Sequence, residues 1–221
     1  MNKIIFTILF LISFQVLSQD VQNKWSVGIN FSPDLCYRFV SKEKKMLSEF
    51  KNDDTRIGFH CGIGAIYKLN DQFSIQADLG YSSLGFSDKS SVYEANSVEY
   101  WNSKRYYYFN NIEIPIGFTY TFGSGKLKGN LTPLTSVKMN LQYARVLYVT
   151  PTSADQFEVM EVLANGFYLN ILVGARAGIS YQLTNKVMLN VLPEYKIGLR
   201  KDYHGSRLWS LGLNVGCYYN L

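Results

Sequence analysis

The clearest pattern in the sequence is a strict alternation of side chains between residues 112 and 122. Every even position is large and apolar, and every odd position is polar, small or proline. Successive side chains of a β-strand point to opposite faces of a sheet, so this alternation predicts a strand with one apolar face. Residues 167–183 continue the pattern over a length far beyond the roughly five or six residues of an ordinary strand. Such a length is typical of a tilted strand that crosses a membrane and extends beyond it.

Alternating segments occur eight times along the chain. They cover approximately residues 25–33, 57–69, 73–86, 106–122, 131–143, 167–183, 187–199 and 208–221, and Pro133 blurs the start of the fifth. The connections are long at 34–56, 87–105 and 148–166, tight at 70–72 and 184–186, shortish at 123–130 and intermediate at 200–207. Asn, Asp and Gly in the short connections fit hairpin turns. Short turns at one end and long loops at the other are typical of an outer-membrane barrel, and eight strands place both termini at the periplasmic end.

The apolar faces also require the sheet to close. Lipid offers no water to an open sheet edge, so each unpaired backbone group there would cost several kcal/mol. The predicted fold class is therefore all-β: an eight-stranded antiparallel up-and-down transmembrane β-barrel of OmpA/OmpX-like size, with long extracellular loops. A soluble lipocalin-type barrel is the main alternative, but its apolar side chains would have to fill a narrow interior. Pro115 and Pro193 count against a complete ladder, and we expect a bulge or a lost hydrogen bond at each.

Charged residues on the polar strand faces should meet inside the barrel. They are three acids and three bases, namely Asp78, Glu113 and Glu194 against Lys138, Arg176 and Lys196. Paired, hydrogen-bonded charges are tolerated in a buried space, whereas an uncompensated charge is expensive. The balance favours a lumen plugged by ion pairs, and a proton or ion path is the alternative. Eight strands leave only enough room for side chains, which disfavours a wide pore.

The N-terminus predicts secretion. A basic start at Lys3 precedes an apolar run from residue 4 to 17, with a cut expected before Gln19, so residues 1–18 form a signal peptide and residues 19–221 one barrel domain. The apolar run is too short for a membrane helix. No cysteine lies at the expected cleavage site, so we expect no lipid anchor. Seventeen tyrosines and fourteen phenylalanines, against five prolines, are typical of strands that meet membrane interfaces.

The sequence contains few residues that could support catalysis or ligand binding. Removal of Lys3 lowers the net charge from +5 to +4, and no basic stripe indicates nucleic acid. Cys61 and Cys217 are expected on apolar faces as small hydrophobes. His60 is expected in the lumen as a hydrogen-bonded side chain, and His204 beside Asp202 and Ser206 is a poor catalytic triad because residues two apart rarely hold the required geometry. We expect no enzyme, no cofactor and no metal.

One group of loop residues indicates a possible contact with lipopolysaccharide. The first loop mixes acids with four lysines, which is typical of a solvated loop but could also contact lipopolysaccharide phosphates. The basic residues concerned are Lys42, Lys44, Lys45 and Lys51, helped by Arg105, Arg200, Lys201 and Arg207 near the same end. Outer-membrane lipid and lipopolysaccharide are therefore the expected partners.

Two segments resemble a known family. The strand Ile112-Glu113-Ile114-Pro115 resembles the Glu-Ile-Pro strand of the PorT-like outer-membrane β-barrel proteins of Bacteroidota. The C-terminal pattern resembles the insertion signal of bacterial barrels, with a leucine where phenylalanine is usual: Asn214, Gly216, Tyr219 and Leu221. The resemblance implies an outer-membrane location and insertion by the barrel-assembly machinery. The resemblance does not settle a function. From the filled lumen and the outer loops we expect a structural or interaction role at the cell surface; the alternatives are an accessory subunit of a protein secretion system, a narrow channel and a lipid A-modifying enzyme.

Overall fold

The computed structural model describes residues 24–39, 53–93, 100–153, 156–164, 169–201 and 207–221. Within them, ten strands form one antiparallel sheet: β1 (Trp25–Phe39), β2 (Asp53–Asp54), β3 (Arg56–Lys68), β4 (Phe73–Tyr93), β5 (Tyr100–Phe122), β6 (Leu127–Ser153), β7 (Gln156–Ala164), β8 (Leu169–Gln182), β9 (Val187–Gly198) and β10 (Arg207–Asn220). The ring runs β1-β3-β4-β5-β6-β8-β9-β10 and closes between β10 and β1. β2 pairs with β4 and β7 pairs with β6, outside the ring. The predicted eight-stranded up-and-down barrel is confirmed.

The two faces of the sheet follow the alternation in the sequence. In β5, Glu113 is fully buried and Thr119 nearly so, whereas Ile116 and Phe118 are 52% and 45% exposed on the outer surface. In the other strands too, most outward side chains are apolar and most inward ones are polar, although apolar side chains such as Leu172 and Leu192 are also buried inside. The lipocalin-type alternative, with its apolar side chains inward, is therefore wrong. No helix among the described residues is long and apolar enough to span a membrane.

The barrel has two distinct ends. At one, which we call the turn end, lie the turns at 69–72, 123–126 and 183–186. Both described termini lie there too: the Lys68 amide donates to the Lys24 carbonyl over 2.8 Å, and the Leu221 amide to the Trp25 carbonyl over 2.9 Å. Gly123 and Gly125 adopt φ of 92° and 78° in the middle turn, which a residue with a Cβ rarely does. The opposite end carries the extended β4–β5 and β6–β7 hairpins, and we call it the hairpin end.

At the hairpin end, the strands continue into the predicted long connections. β1 continues to Phe39, and the β4–β5 ladder continues to Tyr93 opposite Tyr100. β6 likewise continues to Ser153 and pairs with β7. Most of the connections predicted at 87–105 and 148–166 therefore extend the barrel wall, and the loop at 34–56 is shortened from both sides. Beyond the membrane a ladder needs only backbone hydrogen bonds, so apolar alternation no longer marks it.

Prolines interrupt the ladder without opening the barrel. Pro193 pairs with Leu213 of β10, but on its other side the register passes from Arg176–Glu194 directly to Ile179–Val191. The same one-sided gap occurs at Pro33, Pro115 and Pro133. Each proline lacks an amide donor, and the pairs resume in the same register beyond it. The lost ladder contacts expected at Pro115 and Pro193 are thus confirmed.

Aromatic pairs ring the outer surface at two levels. Trp25 packs on Tyr67 near the turn end, with ring centroids 4.7 Å apart, and Phe39 packs on Trp209 near the hairpin end, at 5.8 Å. Trp25 and Phe39 begin and end β1. At about 3.4 Å per residue and a tilt of about 45°, they are separated by roughly 34 Å along the barrel axis. This spacing matches a hydrocarbon layer of about 30 Å bounded by aromatic belts.

Candidate functional site in the barrel lumen

A network of buried ion pairs crosses the middle of the lumen. The Arg176 guanidinium of β8 donates to Asp78 Oδ2 of β4 over 3.0 Å and to Glu194 Oε2 of β9. The Lys196 ammonium lies 2.8 Å from Glu194 Oε1 and donates to Glu113 Oε1 of β5 over 3.0 Å. These side chains are between 0% and 3% exposed. Five of the six charged residues predicted to meet are therefore joined in one chain, which we call the lumen network.

The sixth predicted residue faces the same space. Lys138 of β6 is 1% exposed and lies directly across from Glu113 in the β5–β6 ladder. With it, the predicted set comprises three acids and three bases around one interior. Burial of this many charges is tolerable only because opposite charges lie within hydrogen-bonding reach of each other.

Neutral side chains extend the lumen network to two more strands. Ser136 Oγ of β6 donates to Glu113 Oε1 over 2.9 Å. Gln76 Nε2 of β4 donates to Asp78 Oδ1 over 3.1 Å and to the Tyr218 hydroxyl of β10 over 2.8 Å. Side chains from six of the eight strands in the ring therefore meet across the lumen.

A second ion pair lies nearer the hairpin end and was not predicted. Arg38 and Asp88 are each 1% exposed, with Arg38 Nη2 3.5 Å from Asp88 Oδ2. Both positions lay in predicted loops. For Arg38 the signal was present, because Leu35, Tyr37 and Phe39 continue the outward apolar face of β1 after Pro33.

Aromatic side chains fill the lumen around this pair. The Arg38 guanidinium carbon lies 3.9 Å from the Phe86 ring centroid, and Phe86 stacks on Tyr107 at 4.3 Å. Phe109 is also within 6.1 Å of Phe86, and all three rings are at most 4% exposed. We call this the aromatic layer. The lumen therefore has an apolar layer above the lumen network, which the outward aromatic pattern did not indicate.

Glycines make room for the buried charges. A Cβ at Gly64 would overlap the carboxylate of Asp78, and one at Gly212 would overlap that of Asp34. Asp34 is 1% exposed and accepts a hydrogen bond from Ser32 Oγ over 2.7 Å. Asp78 and Asp34 thus lie against glycines of the neighbouring strands, where a side chain would leave no room for their carboxylates.

Several buried polar atoms in the lumen lack a protein partner. His60 is fully buried and lies across from Ser32 in the β1–β3 ladder, so its predicted place in the lumen is confirmed. Neither ring nitrogen has a hydrogen-bond partner, so the expectation of a hydrogen-bonded histidine was wrong. The side-chain amide of Asn214 is unpartnered as well.

Comparison with known proteins agrees with this architecture. The model of the outer membrane protein beta-barrel domain matches residues 15–221. The chain belongs to this family. It is a small outer-membrane β-barrel protein located in the outer membrane, and the match covers this broad family without distinguishing the PorT-like group.

Three solved barrels are similar to this family member. They are Neisserial surface protein A (18% identity, TM-score 0.47, 87% of this chain and 96% of that one), the attachment invasion locus protein Ail of Yersinia pestis (11%, 0.41, 90% and 99%), and the N-terminal barrel of Pseudomonas aeruginosa OprF (14%, 0.35, 89% and 98%). No curated protein matches the chain. None of these similarities assigns a ligand or a partner to this outer-membrane barrel.

The resemblance motifs occupy ordinary strand positions in this outer-membrane barrel. In β5, Glu113 and Pro115 point inward and are buried, while Ile112 and Ile114 face outward. In the C-terminal strand β10 the lumen holds Asn214 and Gly216, and the outer surface holds Tyr219; Leu221, which follows β10, is exposed as well. The Glu-Ile-Pro strand thus contributes one side chain, Glu113, to the lumen network.

A cavity opens at the turn end of the lumen. Its volume is about 220 Å³, and we call it the turn-end cavity. Gln76, which donates to the lumen network, lines its inner boundary. Near its rim lie Lys68, Lys126 and Lys128, with Asp71 as the acid among the lining residues. The sequence did not indicate that these lysines meet, because Lys68 ends β3 whereas Lys126 and Lys128 flank the start of β6.

Other sequence candidates are dispersed or lie outside the described residues. Cys61 and Cys217 are free thiols on the outer face, as expected, whereas Cys36 is buried in the lumen. The residues weighed as a triad, 202–206, and the lysines of the first loop, 42–51, are outside the described part of the chain. Among the described residues, no group of three or more His, Cys, Asp or Glu could hold a metal ion.

Proposed function

We propose that this protein is a surface interaction barrel whose lumen is closed by side chains. Short turns of outer-membrane barrels face the periplasm and longer connections face outward. The turn end then faces the periplasm and the hairpin end the cell exterior. The observation that carries the proposal is the lumen network, because it joins opposite walls of the barrel and leaves no wide path for solutes.

The layering of the lumen supports closure. A solute entering from the hairpin end would meet the aromatic layer first and the lumen network next. Both consist of side chains that are at most 4% exposed. Passage would require ion pairs between Arg176, Asp78 and Glu194 to separate in a low-dielectric space, which is unfavourable.

The hairpins supply the proposed contact surface. β6 has 27 residues, whereas β9 has 12. The additional residues extend β6 by roughly 50 Å along the strand, at about 3.4 Å per residue. The β4–β5 and β6–β7 hairpins would therefore stand well outside the membrane, where envelope proteins or lipopolysaccharide could bind them.

Single-channel recording tests the closed lumen. The purified mature chain in planar bilayers should give no steady conductance. The Arg176→Ala and Glu113→Ala variants should produce intermittent openings, because each removes part of the lumen network. Arg207→Ala, an exposed residue at the start of β10, is the matched control and should behave as the parent protein. A steady parent conductance that Glu113→Gln alters would contradict the proposal.

Two other roles have specific support. The Glu-Ile-Pro strand resembles PorT-like proteins, which favours an accessory subunit of a secretion system. The unpartnered side-chain amide of Asn214 favours a narrow hydrated channel. Co-purification from mild detergent separates the first role from a solitary barrel, since a subunit should carry envelope proteins with it. Deletion of the β4–β5 hairpin tip at 90–103 should remove them and leave the barrel folded.

A lipid A-modifying activity is the least supported alternative. Its candidate residues lie within 202–206, and the described lumen offers His60 without a hydrogen-bonded nucleophile. Lipid A mass profiles with and without the gene should therefore be identical. A change in acyl-chain or phosphate content would establish the enzyme instead.

A further inference from the structure

We propose that the turn-end cavity is a binding site for a small periplasmic solute that carries a phosphate or carboxylate and at least one hydroxyl group. The proposal uses the orientation given above but does not depend on the surface role. It rests on the charge of the cavity, on an unpartnered buried side-chain oxygen in its wall, and on its closed inner boundary.

The charge of the cavity is positive, because three lysines and one aspartate line it. Lys68, at the end of β3, is half-buried and near both Lys128 and Asp71. Lys126 immediately precedes β6, and Lys128 is the first residue on the inward face of this strand. Within the described part of the chain, no carboxylate forms an ion pair with any of these three ammonium groups. Lysines gathered in a concave site raise the local concentration of anions.

The polar side chains in the cavity wall are largely hydrogen-bonded to one another. Thr119 and Thr132 share a hydrogen bond of 2.8 Å, and Thr121 Oγ1 donates to Asn130 Oδ1 over 2.9 Å. Asn190 is the exception: it lines the cavity and is 3% exposed, yet its side-chain oxygen has no partner. An unsatisfied buried acceptor is unfavourable, so a ligand hydroxyl that donates to Asn190 would be retained.

The shape of the cavity limits the ligand to a small solute. Gln76 closes the inner side by donating to Asp78 and the Tyr218 hydroxyl. Gly125 lies at the rim, where a Cβ would meet no neighbouring atom. A volume of 220 Å³ corresponds to about seven water molecules at about 30 Å³ each. A phosphorylated triol fits this space, whereas a polymer could insert only one end.

Titration calorimetry on the full mature chain in phosphatidylcholine nanodiscs tests the site. The probes are glycerol 3-phosphate, inorganic phosphate and glycerol. We expect saturable binding of the two anions, tighter for glycerol 3-phosphate, and none of glycerol. The Lys68→Gln/Lys128→Gln variant should bind both anions about tenfold more weakly or worse, because it removes the charges that attract them. Asn190→Leu should weaken glycerol 3-phosphate but leave inorganic phosphate unchanged.

Lys186→Gln is the matched control. Lys186 lies in an exposed turn at the same end, with its ammonium 5.8 Å from the Tyr219 ring centroid, and does not line the cavity. This variant should bind both anions within about twofold of the parent. Absence of saturable binding, or an equal loss in Lys186→Gln, overturns the site.

A measurement on the parent protein keeps the test independent of variant folding. On addition of glycerol 3-phosphate, the amide resonances of Thr119, Thr121 and Ser180 should shift together and saturate. Shifts confined to the turn at 183–186, or spread evenly over the turn end, would show non-specific attraction and overturn the proposal.

Discussion

Replacing Arg176 with methionine should remove the centre of the lumen network. The side chain is 2% exposed and donates to Asp78 over 3.0 Å and to Glu194. Methionine is of similar length but cannot donate. The variant therefore leaves Asp78 without its cationic partner, while Glu194 keeps Lys196 at 2.8 Å.

The expected loss is about 3 kcal/mol in the free energy of unfolding. Hydrogen bonds to charged groups contribute about 1.5–3 kcal/mol each, so two of them suggest about 3–6 kcal/mol. Removing one partner of a buried ion pair typically costs about 3–5 kcal/mol. The lower end applies because Lys196 still compensates Glu194 and Gln76 still donates to Asp78.

Reversible urea unfolding from phosphatidylcholine vesicles, followed by fluorescence of the three tryptophans, measures this loss. Arg207→Met, an exposed arginine at the start of β10, is the matched control and should change stability by less than about 0.5 kcal/mol. The Asp78→Asn/Arg176→Met double variant should recover about 1 kcal/mol or more, because it also removes the uncompensated charge. A single-variant loss below about 1 kcal/mol, or no recovery in the double variant, would refute the reasoning.

Two further predictions use the same assay. Leu213→Lys, on the outer face near the middle of the membrane, should cost about 2–4 kcal/mol, whereas Leu127→Lys, at the turn end, should cost about 0–1 kcal/mol; equal costs would contradict the lipid-facing assignment. Gly64→Ala should cost about 1–3 kcal/mol because its Cβ overlaps the Asp78 carboxylate, and Gly198→Ala, whose Cβ meets an amide nitrogen at 3.1 Å, should cost clearly less. Similar losses for the two alanine variants would show that room for Asp78 is not what Gly64 provides.

The strands that cross the membrane could be predicted from the sequence because one physical requirement marks each of them. Lipid demands an apolar face and the lumen a polar one, so the period-two pattern appears wherever a strand lies in the bilayer. The same argument placed Asp78, Glu113, Arg176 and Glu194 on the inward face. It failed beyond the membrane, where the β4–β5 and β6–β7 hairpins need no apolar face and resemble loops in sequence.

What only the tertiary structure decided is which inward side chains meet. Alternation gives the face of each residue but not its height along the barrel, because height depends on the stagger between tilted strands. The contact of Arg176 with Asp78, 98 residues apart in sequence, and the gathering of Lys68 with Lys126 and Lys128 both follow from that stagger. The sequence by itself therefore determined a closed barrel with a charged interior, and the register of the closed sheet decided that this interior contains a network, an aromatic layer and a basic cavity.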